Sequence, residues 1–208
     1  MKGLHLLLTV EGYADPPRIS DLGFEVNSGE LVLLLGSSGS GKSRLLDSLA
    51  GLGCSRGGRI LIAGEPPSNT AARGRCSYVF QQDNFDGDRP VRTQMCRRLR
   101  LYGFRRDAAG AVVADWAHTW RIRGMDGPAK RMDLGSLQAA SLGLGLLPKT
   151  DLVVLDEPAQ NLGPSGIELL LEHLGSCRRR AVLALVSPPT PLARIADRVV
   201  YVGEGGER

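Results

Sequence analysis

Eight consecutive residues, Gly36-Ser37-Ser38-Gly39-Ser40-Gly41-Lys42-Ser43, constrain the fold of this chain more than any other stretch. They complete the pattern G-x-x-x-x-G-K-[ST], and their flanks suit it. The preceding run, Leu31-Val32-Leu33-Leu34-Leu35, is short and continuously apolar, as a strand buried on both faces of a parallel sheet should be. Residues 44–51 read as a helix. A strand, a glycine-rich loop and a helix in that order let backbone N–H groups curl around an anion, and the helix N-terminus adds a favourable dipole. Gly36 to Ser43, with Arg44 beside them, are therefore the candidate phosphate-contacting residues. Lys42 is expected to reach the β- and γ-phosphates of a nucleoside triphosphate, and the Ser43 hydroxyl to be a ligand of Mg²⁺.

The 208 residues suffice for one substantial core with room for a small inserted subdomain. A 42% hydrophobic and 23% charged composition is that of an ordinary globular chain, with disorder expected only at the Gly-Glu-Gly-Gly tail. The net charge of +4 is a weak clue, since a nucleotide-binding protein can carry it without binding nucleic acid. The apolar runs at 142–147 and 181–186 are far shorter than the roughly 20 residues needed to span a bilayer. The start of the chain lacks a small-residue cleavage site and reads as a first strand. Cys54, Cys76, Cys96 and Cys177 form no C-x-x-C pair, so neither a zinc site nor a disulfide framework is signalled, and a reducing cytosol fits best.

Taken in order, residues 4–10 and 19–26 are strand-like and separated by a turn at Asp15-Pro16-Pro17. Tyr13 is expected on that turn, exposed, where its ring either stacks on an adenine or merely packs. Residues 56–59 read as a turn, and 60–63 and 77–80 as strands. The second of these ends in Gln81-Gln82-Asp83-Asn84, an amide-rich loop where open sheets hold ligands, or simply a polar turn. From Arg89 to Met132 apolar residues recur at helical spacing and strand signals vanish, closing with Gly124, Gly127 and Pro128. The arginines at 97, 98, 100, 105 and 106 lack interleaved aromatics and read as a solvated face rather than a nucleic-acid surface. Leu152-Val153-Val154-Leu155 is a second buried strand. Asp156 and Glu157 at its C-terminal end lie across from the phosphate loop, one to hold Mg²⁺, the other to orient or activate water. A helix at 165–174 and strands at 181–186 and 198–202 complete an alternating β/α order.

Together these motifs resemble the nucleotide-binding subunit of an ABC transporter over almost the whole chain. Val26-Asn27-Ser28-Gly29-Glu30 before the loop, Leu49-Ala50-Gly51-Leu52 after it, and the segment from Gly58 to Gly64 all share that family's phrasing. Tyr78-Val79-Phe80-Gln81 resembles its Q-loop, which implies that Gln81 approaches Mg²⁺ and the attacking water. The segment from Pro148 to Pro158 resembles Walker B, implying Asp156 as the Mg²⁺-associated acid and Glu157 as general base. Tyr13 falls where the family places an adenine-stacking aromatic. The implied fold is α/β: a P-loop NTPase core of ABC ATPase type, with an N-terminal antiparallel β patch and an inserted helical subdomain. As one domain over 1–208, residues 1–82 and 151–208 would form the RecA-like core with its β patch, and 83–150 the helical part. The implied cofactors are ATP and Mg²⁺. The implied partners are a membrane-spanning transporter subunit and a second ABC ATPase subunit, identical or different, with no nucleic acid. The location implied is cytoplasmic and peripheral, on the cytoplasmic face of the membrane.

Three departures stand out. The family's Leu-Ser-Gly-Gly-Gln signature is replaced by Met132-Asp133-Leu134-Gly135-Ser136-Leu137-Gln138, and neither a gap-free alignment on 132–136 nor a shifted one on 134–138 restores a serine followed by two glycines. Pro188 stands where the family has a histidine that contacts the γ-phosphate, and proline has no side-chain donor. Gly163 stands for an aspartate in the D-loop. Because the signature comes from the facing subunit, these changes favour an asymmetric pair with a related ATPase. The alternative is a regulatory or structural ATP-binding module whose dimerisation, not turnover, matters. An ABC protein acting on nucleic acid would need insertions for which 208 residues leave no room.

Overall fold

The computed structural model describes residues 5–53, 55–82, 84–176 and 179–202. Expectations that fall on Leu4, Cys54, Asp83, Cys177 and the glycine-rich tail lie outside these residues. A five-stranded parallel sheet runs in the order β5-β6-β7-β3-β8, from β3 (Leu31–Leu35), β5 (Cys76–Val79), β6 (Leu152–Asp156), β7 (Ala181–Val186) and β8 (Arg198–Tyr201). Every residue of β6 and β7 is buried, which is why both read as unbroken apolar runs. Strand alternation sorts their side chains into two cores. Leu31, Leu33, Val153, Leu155, Val182 and Ala184 face one, and Val32, Leu34, Leu152, Val154, Leu183 and Leu185 face the other.

The second core is closed by α1 (Lys42–Leu49) and by an antiparallel sheet of order β2-β1-β4, made of β1 (Leu6–Asp15), β2 (Ile19–Asn27) and β4 (Gly57–Ile62). The residues read as a turn at 57–59 are thus the start of β4: Gly58 sits with φ 75° so close to β1 that an added Cβ would stand 2.2 Å from the Gly12 carbonyl oxygen. The polar one-turn helix α2 (Thr70–Gly74), capped by Asn69, has no apolar period to announce it.

The first core is covered by α3 (Val91–Leu101), α4 (Arg106–Thr119), α5 (Leu134–Leu146) and α6 (Pro164–Ser176). In α3 the buried positions Val91, Met95 and Leu99 repeat every four residues, leaving Arg97 and Arg100 exposed; Arg105 and Arg106 are exposed as well. Helix α5 is buried throughout residues 138–146, sandwiched between the sheet and the other helices. Its approach to the sheet depends on Gly145, where a Cβ would lie 2.6 Å from Val79 Cγ2.

Candidate active site

All the loops at the C-terminal ends of β3, β6 and β7 open onto one cavity of about 610 Å³. Its lining includes Ser38, Gly39, Gly41, Lys42, Ser43, Arg44, Gln81, Asp156, Glu157 and Ser187. The parallel sheet makes this convergence unavoidable, because its strands all deliver their carboxyl ends to one side. Gly39 and Gly41 take φ of 80° and 99°, a region that a Cβ disfavours, and this bends the loop into the first turn of α1. Gly36 is held tightly both within the loop and from outside it: a Cβ there would be 2.6 Å from Ser40 Oγ and 2.7 Å from the Val202 carbonyl oxygen.

Inside the cavity Lys42 is buried, and desolvation lowers its pKa below the ordinary lysine value. Its three N–H donors go to the Gly36 carbonyl (2.7 Å), the Ser37 carbonyl (3.0 Å) and Ser187 Oγ (3.2 Å). Glu157 Oε1 lies 4.0 Å from the ammonium. Ser43 Oγ donates to Asp156 Oδ2 at 2.9 Å, so a hydroxyl and a carboxylate meet at one point. That donor pair suits a hard cation such as Mg²⁺, whose remaining ligands would come from phosphates and water. Among the described residues no cluster of three His, Cys, Asp or Glu side chains forms a metal cage. Burial pushes the Asp156 carboxyl up to about 6, outweighing the Ser43 hydrogen bond.

Glu157 leaves β6 with φ 46°, in the left-handed region where a non-glycine residue is strained. Its N–H bonds the Leu185 carbonyl at 2.9 Å, and its Oε1 accepts from Ser187 Oγ at 2.5 Å. Gln81 reaches the same mouth and donates through Nε2 to Gln160 Oε1 at 3.0 Å.

Tyr13 departs from expectation. It is 1% exposed, its hydroxyl 3.3 Å from Ser48 Oγ against α1, so its ring offers no face to a base. The cause is a bulge at Glu11–Gly12. Val10 pairs with Phe24 but Tyr13 with Leu22, so one extra residue enters β1, and Gly12 takes φ 57°. Strict alternation from Leu8 and Val10 would expose Tyr13; the inserted residue turns it inward. Arg18 and Arg44 line the cavity instead, Arg44 held by Asp15 at 3.0 Å.

Sequence reading also missed Ser187 and Gln160. Ser187 is the first residue beyond the apolar run of β7, at the sheet end where ligands bind, and that position was its available signal. Pro188 is not among the cavity-lining residues. The segment that departs from the signature lies elsewhere: Asp133 caps α5, accepting the Ser136 N–H at 2.8 Å, beside a second hollow shared with Arg121, Arg123 and Gly163. Its pKa is lowered chiefly by that backbone hydrogen bond. His173 is packed against Trp116 and Trp120, away from the phosphate loop.

The family model described as ABC transporter matches residues 19–160. Among curated relatives, a Nod factor export ATP-binding protein I of Burkholderia orbicola (strain AU 1054) is 32% identical over 198 residues, covering 93% of this chain and 65% of its own length. An Fe(3+) ions import ATP-binding protein of Streptomyces coelicolor is 32% identical over 211 residues, covering 96% of this chain and 60% of its own length. The chain thus spans about 60–65% of the length of these relatives. Among solved structures, a dimeric ATP-binding cassette in a post-hydrolysis state bound to ADP and Pi superposes with a TM-score of 0.83 at 17% identity, covering 97% of each chain. An ATP-binding subunit of an ABC transporter gives 0.79 at 23% identity, covering 95% of this chain and 86% of the other. At such identities these two likenesses describe the fold.

Proposed function

Since the chain belongs to the ABC transporter family, we propose that it is the ATP-binding and ATP-hydrolysing subunit of a transporter, acting through a separate membrane-spanning partner. The observation that carries the reading is the convergence of Lys42, Ser43, Asp156 and Glu157 in one cavity around the phosphate loop. In this proposal backbone N–H groups of residues 39–43 and the Lys42 ammonium hold the phosphates. Ser43 and Asp156, with Gln81 at the mouth, hold Mg²⁺, which when bound neutralises charge developing on the phosphates. Glu157 takes a proton from the attacking water. The division of the chain into a core and a helical part at 83–150 belongs to the same proposal. So does a peripheral position on the cytoplasmic membrane face; no described helix is long and apolar enough to cross a bilayer.

The pairing proposed is asymmetric. In the family resemblance, the N-terminal end of α5 faces the nucleotide of the opposite subunit. Here that end is occupied by the Asp133 carboxylate, which takes the Ser136 N–H for itself and would set negative charge against a phosphate. A different ATPase subunit would supply an intact signature to this chain's loop and leave the reciprocal site weak. Both an export and an import ATP-binding protein are named among the relatives.

The test is steady-state Mg²⁺-dependent ATPase activity of the chain alone and with its co-purifying partners, against Lys42→Ala and Glu157→Gln. Turnover that appears in the complex and disappears in both variants is the expected result. Turnover untouched by Glu157→Gln, with Lys42→Ala disturbing only binding or assembly, would make the chain a regulatory half.

A further inference from the structure

Ser187 sits between Lys42 and Glu157. Its hydroxyl accepts from Lys42 Nζ at 3.2 Å and donates to Glu157 Oε1 at 2.5 Å. The direction of this chain is fixed by chemistry, because an ammonium has no acceptor and a carboxylate no donor. The single hydroxyl proton is therefore committed to Glu157. Pro188 and Pro189, which follow, carry neither a side-chain donor nor a backbone N–H. Among the described residues, Ser187 is the one side chain that hydrogen-bonds the Glu157 carboxylate.

We infer that Ser187 is a positioning residue for ATP hydrolysis, whose hydroxyl fixes one oxygen of the Glu157 carboxylate so that the other faces the attacking water. The inference rests on Glu157 acting as the base. It also follows from what must happen to Lys42 when a nucleotide arrives. All three of its donors are spent within the protein, so phosphate oxygens can be bound only by displacing some of those contacts. The Ser187 to Glu157 bond needs none of them. It persists when the ammonium turns to the phosphates, and then replaces the ion pair as the restraint on the carboxylate. In the step it serves, the water oxygen forms a bond to the γ-phosphorus as the bond from that phosphorus to the bridging oxygen breaks. The electron pair of that bond leaves with ADP. One water proton goes to Oε2 of Glu157, and Ser187 gains and loses none.

A hydrogen bond to a charged group is strong enough that losing it changes a rate roughly 10- to 100-fold. The experiment compares kcat and KM for MgATP in the full chain, assayed alone and with its co-purifying partners, for Ser187→Ala, Ser187→Thr, Glu157→Gln and the double variant Ser187→Ala/Glu157→Gln. A fluorescent-ATP titration of each variant reports that the site is folded. Ser187→Ala should lower kcat at least roughly tenfold with KM and ATP affinity little changed. Ser187→Thr should recover most of the rate, and the double variant should bind fluorescent ATP as tightly as Glu157→Gln alone. If Glu157→Gln abolishes turnover while Ser187→Ala leaves kcat intact, the positioning role is overturned and the base remains. Equal losses in Ser187→Ala and Ser187→Thr, with ATP affinity also gone, would reduce Ser187 to a structural part of the loop and overturn it too. Full turnover in Glu157→Gln would remove the base itself, and the inference with it.

Discussion

Asp156 is 2% exposed, and burial raises its carboxyl to about 6. A carboxyl whose folded pKa lies above its unfolded value of 3.8 makes the folded state the tighter proton binder between the two. Its contribution is fully present below the unfolded value and is lost as pH rises through about 6. In EDTA and without nucleotide, Asp156→Asn should therefore match the parent near pH 4 and become more stable than it above pH 7, by on the order of 2 kcal/mol. Denaturant titrations across that range check this; an Asn variant less stable at every pH would contradict it. Legibility at this scale was uneven. Lys42 and Ser43 could be located because they complete the glycine-rich motif after an apolar strand, and Asp156 and Glu157 because they stand at the end of another. Tyr13 could not, because a single inserted residue at Gly12 reverses which face it occupies. Ser187 declares its role only through two side-chain contacts made across the fold.

The elements that were easiest to read are those buried on both faces, β3, β6 and β7, whose apolar runs have one structural meaning. Short or polar elements such as α2 carried no periodic signal. Helix α5 shows the opposite difficulty: buried all round from 138 to 146, it has no solvent-facing stripe there to reveal its orientation, and Gly145 decides how near the sheet it lies. Gly145→Ala would push a methyl group to 2.6 Å from Val79 Cγ2. Overpacking of this kind should cost about 1–3 kcal/mol. The same change at Gly110 in α4 meets nothing within 4 Å and should stabilise the helix by about 0.5–1 kcal/mol. Thermal denaturation of the two variants checks the pair, and equal shifts would show that α5 has slack against the sheet.

Across the whole molecule, two cores meet along one parallel sheet, and the strand ends that emerge between them line the cavity of Lys42, Asp156 and Glu157. In the proposed function that cavity holds the phosphates and Glu157 takes the proton, whereas the α5 end that would serve a facing subunit is capped by Asp133. In the proposed asymmetric pair this chain contributes one working ATP site, and a different subunit closes over it. Light scattering of Glu157→Gln in saturating MgATP, alone and with the co-purified ATPase partner, tests this most directly. The predicted result is the mass of a single chain when alone and a one-to-one complex with the partner. An ATP-dependent dimer of two identical chains, formed with no partner present, would contradict it.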